Sequence, residues 1–261
     1  MVKRSYSEKD FDSQEWAARV DLAACFRLVD HYGMTDLVYN HISLRVPGKE
    51  NEFLINPLGV LYSEITASSL LKVDIDGKVL FNPWEEYSIS QAGYVIHSAI
   101  HGARPDAHCI IHTHTLDGVA VSTLKCGLLP ITQTAMRFRE VAYHDYEGVA
   151  LSMDERARLV DDLGSADVMI LRNHGLLAVG MNVQEAFNNI YRLERACVMQ
   201  IKAMSCNTEL IVPAEQIVSL TNEQLSVQTC AVGAHNRTPY GVMEWPALIR
   251  MLEKKDASYR S

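Results

Sequence analysis

The residues best placed to do chemistry are histidines. His112-Thr113-His114 closes the apolar run Cys109-Ile110-Ile111, which reads as a buried strand after the turn Arg104-Pro105-Asp106. Side chains alternate along a strand, so His112 and His114 point to one face with Cα atoms about 7 Å apart, and their imidazoles can converge on one ion. Imidazoles beside a buried strand need hydrogen-bond partners or a metal. His174 stands between the strand-like Val168-Met169-Ile170-Leu171 and Gly175, where the backbone turns and presents a side chain at a sheet end. Alone, a histidine before glycine reads as a turn residue. With His112 and His114 it completes three neutral nitrogen ligands, the set of a catalytic divalent-metal site with a position left open.

Other groups are less specific. His97 and His101 lie four apart and share a helix face, but no glutamate follows His97 as zincin chemistry demands, so they read as supporting or surface residues. Tyr143-His144-Asp145-Tyr146 reads as a loop dense in acid–base groups, or as a hydrogen-bonded surface corner. Glu85 and Glu86 read as solvated. Cysteines 25, 109, 126, 197, 206 and 230 show no CxxC pairing and read as reduced core residues.

These residues need a scaffold. Asp12 and Glu15 are placed to cap a helix running through Tyr32, with Gly33 at its stop. Short strand-like segments follow at 40–46, 53–55, 72–75 and 78–80, the last two joined by the hairpin signal Asp76-Gly77. A helix is expected from Ser90 to Gly102, another from Leu116 to before Gly127, and a long one to about Ser205 behind the capping box Asn182-Val183-Gln184-Glu185. Helical periodicity returns at 214–229 and 244–254.

With 261 residues, 48% of them hydrophobic, the chain can bury a real core. A formal net charge of -8 without a basic run argues against a nucleic-acid or anionic-membrane partner. No apolar stretch reaches the roughly 18 residues of a membrane span. Met1-Val2-Lys3-Arg4-Ser5 is not followed by an apolar signal-peptide region, so a cytoplasmic protein is expected.

Taken together, Tyr39-Asn40-His41-Ile42-Ser43-Leu44-Arg45, Ile55-Asn56-Pro57-Leu58-Gly59, Arg104-Pro105-Asp106-Ala107, His112-Thr113-His114-Thr115 and Arg172-Asn173-His174-Gly175-Leu176 resemble the class II aldolase/adducin family over nearly the whole chain. Gln91-Ala92-Gly93-Tyr94, Lys125-Cys126-Gly127-Leu128-Leu129-Pro130 and Glu140-Val141-Ala142-Tyr143-His144-Asp145-Tyr146 are most similar to its adducin-like branch, in a bacterial-type form without the long basic tail of animal adducins. The resemblance implies a single α/β domain over 1–261, with its core at about 15–205 and a helical extension at about 206–261. The implied fold is a three-layer α/β/α class II aldolase/adducin type around a mostly antiparallel central sheet. It also implies a homotetramer with metal sites near subunit boundaries. His112, His114 and His174 match the family's ligands to one divalent ion, zinc foremost, with manganese, iron, nickel or cobalt as alternatives. Asn40, Gly59 and His97 are the expected substrate-binding positions.

The departures shape the functional expectation. The family's aldolases carry an acid/base glutamate on the helix before the HxH strand, and counting back from His112 places Gly93 there. Leu58, Gln91 and Ala92 stand where hydroxyl side chains cradle a phosphate, although Gly59 remains. The leading expectation is therefore a divalent-metal lyase that cleaves a carbon–carbon bond, by aldol cleavage or decarboxylation, in a small non-phosphorylated oxo or hydroxy acid. Decarboxylation needs no base to begin it, so losing the glutamate harms it least. Tyr143, His144 or the tail residue Tyr259 would handle the proton. The rival expectation is a non-catalytic adducin-like module binding actin or another cytoskeletal protein; a third is a non-haem iron oxygenase.

Overall fold

A computed structural model describes residues 4–149, 154–228 and 240–261. Its strands are β1 (His41–Arg45), β2 (Glu52–Ile55), β3 (Leu71–Asp74), β4 (Val79–Phe81), β5 (Cys109–Thr113), β6 (Ala142–His144), β7 (Val168–Leu171) and β8 (Gly175–Gly180). They form one sheet in the order β4-β3-β2-β1-β5-β8-β7-β6. Neighbours are antiparallel except β6 and β7, which are parallel. The helices are α1 (Ser13–His31), α2 (Gln91–Ala103), α3 (Leu116–Ser122), α4 (Gln133–Met136), α5 (Glu155–Leu163), α6 (Val183–Ser205), α7 (Glu215–Gln228) and α8 (Trp245–Lys255).

Strand alternation explains the three layers. Cys109, Ile111, Val168, Ile170, Leu176 and Ala178 face the side covered by α1 and α6, where they join Leu22, Phe26, Ile190 and Leu193. Ile110, Met169, Leu171, Leu177 and Val179 face the other side, packed by Ile96 and Ile100 of α2 and Leu159 and Leu163 of α5. Each such leucine or isoleucine contributes about 1.5–3 kcal/mol by leaving water, so both faces are firmly covered. His112 falls on the α2 side with Ile110, which fixes the layer in which the histidine site is built.

Local signals operate with some redistribution. Asp12 Oδ1 caps α1 by accepting from the N–H groups of Gln14 and Glu15. Glu15 does not return the bond to the cap; it pairs with the buried Arg19 and with Lys72, each at 2.9 Å. The Arg19 guanidinium also lies over the rings of Phe11 and Phe81, tying the N-terminal segment to β4. Asn182 caps α6 through Glu185 N, while the Glu185 carboxylate accepts from Met181 N. Asp76-Gly77 makes the β3–β4 turn, with Gly77 at φ +90°.

Three expectations change. Ala142–His144 is a strand rather than a loop, because it gains a parallel partner in β7 that its short sequence does not announce. Strand β5 ends at Thr113, so His114 lies just beyond it. Cys25, Cys109 and Cys197 are buried as core residues, but Cys126 and Cys206 are exposed; Cys230 lies outside the described residues. The helix expected at 214–229 is described as far as Gln228.

Candidate metal centre

Strand β5 delivers His112 and, one step past its end, His114. The turn between β7 and β8 delivers His174, next to Asn173 at φ +56°, a left-handed conformation that asparagine tolerates better than most residues. Gly175 then lets β8 come close to β5, since a Cβ there would lie 2.4 Å from the Thr113 carbonyl oxygen. Thr115 precedes the first turn of α3, and its hydroxyl donates to the buried Glu194 of α6, which anchors the chain directly after His114.

The three imidazoles converge. His112 Nε2 and His114 Nε2 are 2.8 Å apart, His114 Nε2 and His174 Nε2 are 3.0 Å apart, and the three ligand atoms lie within 4.8 Å of one another. The far nitrogens are tied down. His112 Nδ1 donates to the Leu176 carbonyl at 2.9 Å, and His114 Nδ1 meets the Asp36 carboxylate at 3.0 Å. Carbonyl and carboxylate oxygens only accept, so both rings hold their proton on Nδ1 and aim an Nε2 lone pair inward. Lone pairs facing each other at such distances repel unless a cation lies among them. Burial, helped by His41, His174 and His114, pushes His112 well below its ordinary pKa; burial and then His114 lower His174 to about 4. Neutral imidazoles with their outer nitrogens oriented are what a divalent ion requires, so the residues present fit one.

The remaining expected site residues fall into different places. His144 is buried, with Nδ1 2.7 Å from Asp162 and Nε2 3.3 Å from Glu155, so both ring nitrogens are committed to carboxylates of α5. Tyr143, its neighbour on β6, points to the opposite face; its hydroxyl accepts from Leu128 N at 2.9 Å and its ring lies under the Arg172 guanidinium. Tyr259 is fully buried in the core that α8 and the tail form on α1, which removes it as a proton-handling tail residue of this site. His97 is also fully buried, both nitrogens bonded within the protein, and cannot touch a substrate; it and His101 are not surface residues. Asn40 is buried and accepts from Asp36 N at 2.6 Å, which steadies the segment carrying the His114 partner. Gly59 lies under Tyr87, whose ring would be 2.8 Å from a Cβ there, so an aromatic side chain covers the expected cradle.

Asp36 and His41 were not anticipated at the site, whereas Tyr146 belongs to the acid–base segment 143–146 singled out in the sequence. Asp36 carries no motif that marks it. His41 pairs across the sheet with His112, and their ring centroids are 4.9 Å apart; strand alternation, which places His41 and Ser43 on one face, was the available signal. Tyr146 is exposed with its ring centroid 6.4 Å from that of His174. It borders an open cleft of about 650 Å³ lined also by Lys125, Asp145, Arg172 and Asn173. Lys125 and Arg172 give that cleft positive charge.

Fold and site thus define an α/β protein with a three-histidine group able to hold a divalent metal. The chain belongs to the class II aldolase and adducin family, since the model for the class II aldolase and adducin N-terminal domain matches residues 20–201. An aldolase II superfamily protein from Pseudomonas syringae superposes with a TM-score of 0.88 at 48% identity, covering 98% of this chain and 100% of that one. L-fuculose 1-phosphate aldolase from Glaciozyma antarctica PI12 gives 0.81 at 27% identity, over 95% of this chain and 93% of that one. Rat (Rattus norvegicus) alpha-adducin is 42% identical over 93% of this chain, which spans only 34% of that protein.

Proposed function

We propose that the protein is a divalent-metal-dependent carbon–carbon lyase acting by aldol cleavage or decarboxylation on a small, non-phosphorylated oxo or hydroxy acid. The observation that carries this reading is the convergence of three imidazoles, two of which, His112 and His114, already have their outer nitrogens fixed by Leu176 and Asp36. A divalent ion there, zinc foremost, would act as a Lewis acid that withdraws electrons from an oxygen of the substrate. His112, His114 and His174 would hold the ion. Lys125 and Arg172 would draw an acidic substrate along the adjoining cleft, and Tyr146, next to His174, is better placed than Tyr143, His144 or Tyr259 to hand over a proton. Gly93 supplies no carboxylate, and Tyr87 over Gly59 favours a substrate without phosphate. In the homotetramer that the family resemblance implies, a neighbouring copy would cover Leu37, Tyr39 and Leu116, exposed side chains flanking Asp36 and His114 in the chain.

The test is metal content of protein purified without added metal, followed by turnover of a panel of small oxo and hydroxy acids. One ion per chain, lost in His114→Ala together with turnover, is expected. Full metal content and unchanged turnover in that variant would refute the assignment.

A second reading, a non-catalytic module binding a cytoskeletal partner, draws support from Gly93 and from the likeness to alpha-adducin. A site that refuses added zinc, in a protein that co-sediments with actin filaments, decides for it.

A further inference from the structure

Behind the three histidines runs a buried chain of hydrogen bonds that a metal-binding role does not require. His101 Nδ1 lies 3.1 Å from the Ala107 carbonyl oxygen, His101 Nε2 lies 2.8 Å from Ser43 Oγ, Ser43 Oγ lies 2.5 Å from His97 Nδ1, and His97 Nε2 lies 2.8 Å from His41 Nδ1. The rings come from the two facing elements: His41 and Ser43 share a face of β1, and His97 and His101, four apart, share a face of α2. All four residues are buried.

The carbonyl at one end sets the direction of every bond. It only accepts, so His101 holds its proton on Nδ1, and its bare Nε2 takes the Ser43 hydroxyl proton. Ser43 Oγ then accepts from His97 Nδ1–H, which leaves His97 Nε2 bare to accept from His41 Nδ1–H. Burial supports the neutral rings that this order needs at its inner end, lowering His101 to about 3 and holding His97 well below its ordinary value. The chain therefore ends on His41 Nε2, an unprotonated nitrogen with no hydrogen-bond partner among the described residues, on a ring packed against that of His112.

Gly93 makes room for this ring. A Cβ on Gly93 would lie 2.8 Å from His41 Cδ2 and 3.0 Å from Cγ, so any larger residue at this position of α2 would drive the imidazole out of place. Gly93 and His41 occupy one volume between them. The side of the site nearest α2 is thus closed by an imidazole whose tautomer is fixed from within the core.

We propose that His41 is a specificity-determining residue of this site, its Nε2 accepting a hydrogen bond from a hydroxyl group of the ligand, with Ser43, His97 and His101 as positioning residues that keep that nitrogen unprotonated. The ligand class follows: a small acid bearing a free hydroxyl next to its carboxylate. This deepens the lyase reading and rests on it for the presence of a metal-held ligand.

The tautomer is read directly by long-range proton–nitrogen NMR correlation of the histidine rings in the metal-free and zinc-loaded protein at neutral pH, with His41→Phe identifying the signal. His41, His97 and His101 are expected as Nδ1–H tautomers. A proton on His41 Nε2 overturns the proposal without recourse to any variant. The ligand preference is read by titrating the cobalt(II)-loaded protein, followed by its visible spectrum, with glycolate and with methoxyacetate, which offers similar chelating oxygens but no hydroxyl proton. Glycolate should bind about fivefold more tightly, equivalent to one hydrogen bond of about 1 kcal/mol. The preference should vanish in His41→Phe and weaken in Ser43→Ala, where the order of the chain is broken. Equal affinities in the wild type, including no detectable binding of either acid, overturn the role of His41. Cobalt that fails to bind at the three histidines overturns the lyase reading instead, so the two ideas fail separately.

Discussion

Replacing Gly93 by alanine adds one methyl group to α2, and its effect can be worked from two opposing terms. An alanine inside a helix is favoured over glycine by up to about 1 kcal/mol. Against this, the new Cβ would lie 2.8 Å from His41 Cδ2, on a ring held by His97 on one side and packed against His112 on the other. Overpacking of this kind costs about 1–3 kcal/mol, which leaves the variant between neutral and about 2 kcal/mol less stable than the parent. Gly102 provides the control on the same helix, because no heavy atom lies within 4 Å of a Cβ there. Gly102→Ala should stabilise the protein by several tenths of a kcal/mol. The gap between the two variants, about 1–3 kcal/mol, isolates the contact with His41. Urea unfolding of metal-free protein, at matched m-values, measures it. If Gly93→Ala proves as stable as Gly102→Ala, the close packing of Gly93 against His41 is wrong.

Asp36→Ala frees the outer nitrogen of His114 and should weaken zinc affinity by about 10–100-fold in a chelator competition, with little change in unfolding midpoint of the metal-free protein; unchanged affinity would show that the contact orients nothing. Stability of the metal-free protein should fall with acid over a defined window. The unfolded chain takes up protons on histidine below about 6.5, whereas the folded protein keeps His174 neutral down to about 4 and His101 down to about 3, so the urea midpoint should decline steadily from about pH 6.5 to about 4 and be level from about pH 7 to about 8, below the range in which unfolded cysteines ionise. A flat profile across that range would contradict the burial assigned to these rings. Tyr62 is buried edge-on to Phe26 with no hydrogen-bond partner for its hydroxyl among the described residues, so Tyr62→Phe should leave thermal stability unchanged or raise it; a clear loss would reveal a partner for that hydroxyl.

Much of this arrangement is written locally in the chain. The turn at His174, the Asp12 and Asn182 caps and the Asp-Gly hairpin each follow from a few neighbouring residues, and each forms; the HxH pair converges as well, although His114 lies one residue past the end of its strand. What the sequence conceals is long-range. Strand β6 exists only because β7, more than twenty residues later, offers it a parallel partner. Asp36 reaches His114 across 78 positions, and Ser43 and His41 meet His97 across more than fifty. Gly93 reads as an absence in the sequence, a missing carboxylate; in the folded protein it is the space that His41 fills. Tyr143, His144 and Tyr259 show the converse: residue types suited to acid–base work whose atoms are committed to a backbone amide, two carboxylates and the core.

The sheet's margins carry a consequence of another kind. Its long apolar strands, β5 and β8, are interior, while β4 and β6 at the two rims are three residues each. An exposed rim is a template on which a foreign strand can polymerise, and the shorter it is, the fewer ladder bonds an intruder gains. Confining both rims to three residues makes this strongly hydrophobic sheet a poor seed for fibrils, a property that would matter most when the protein is crowded or partly unfolded.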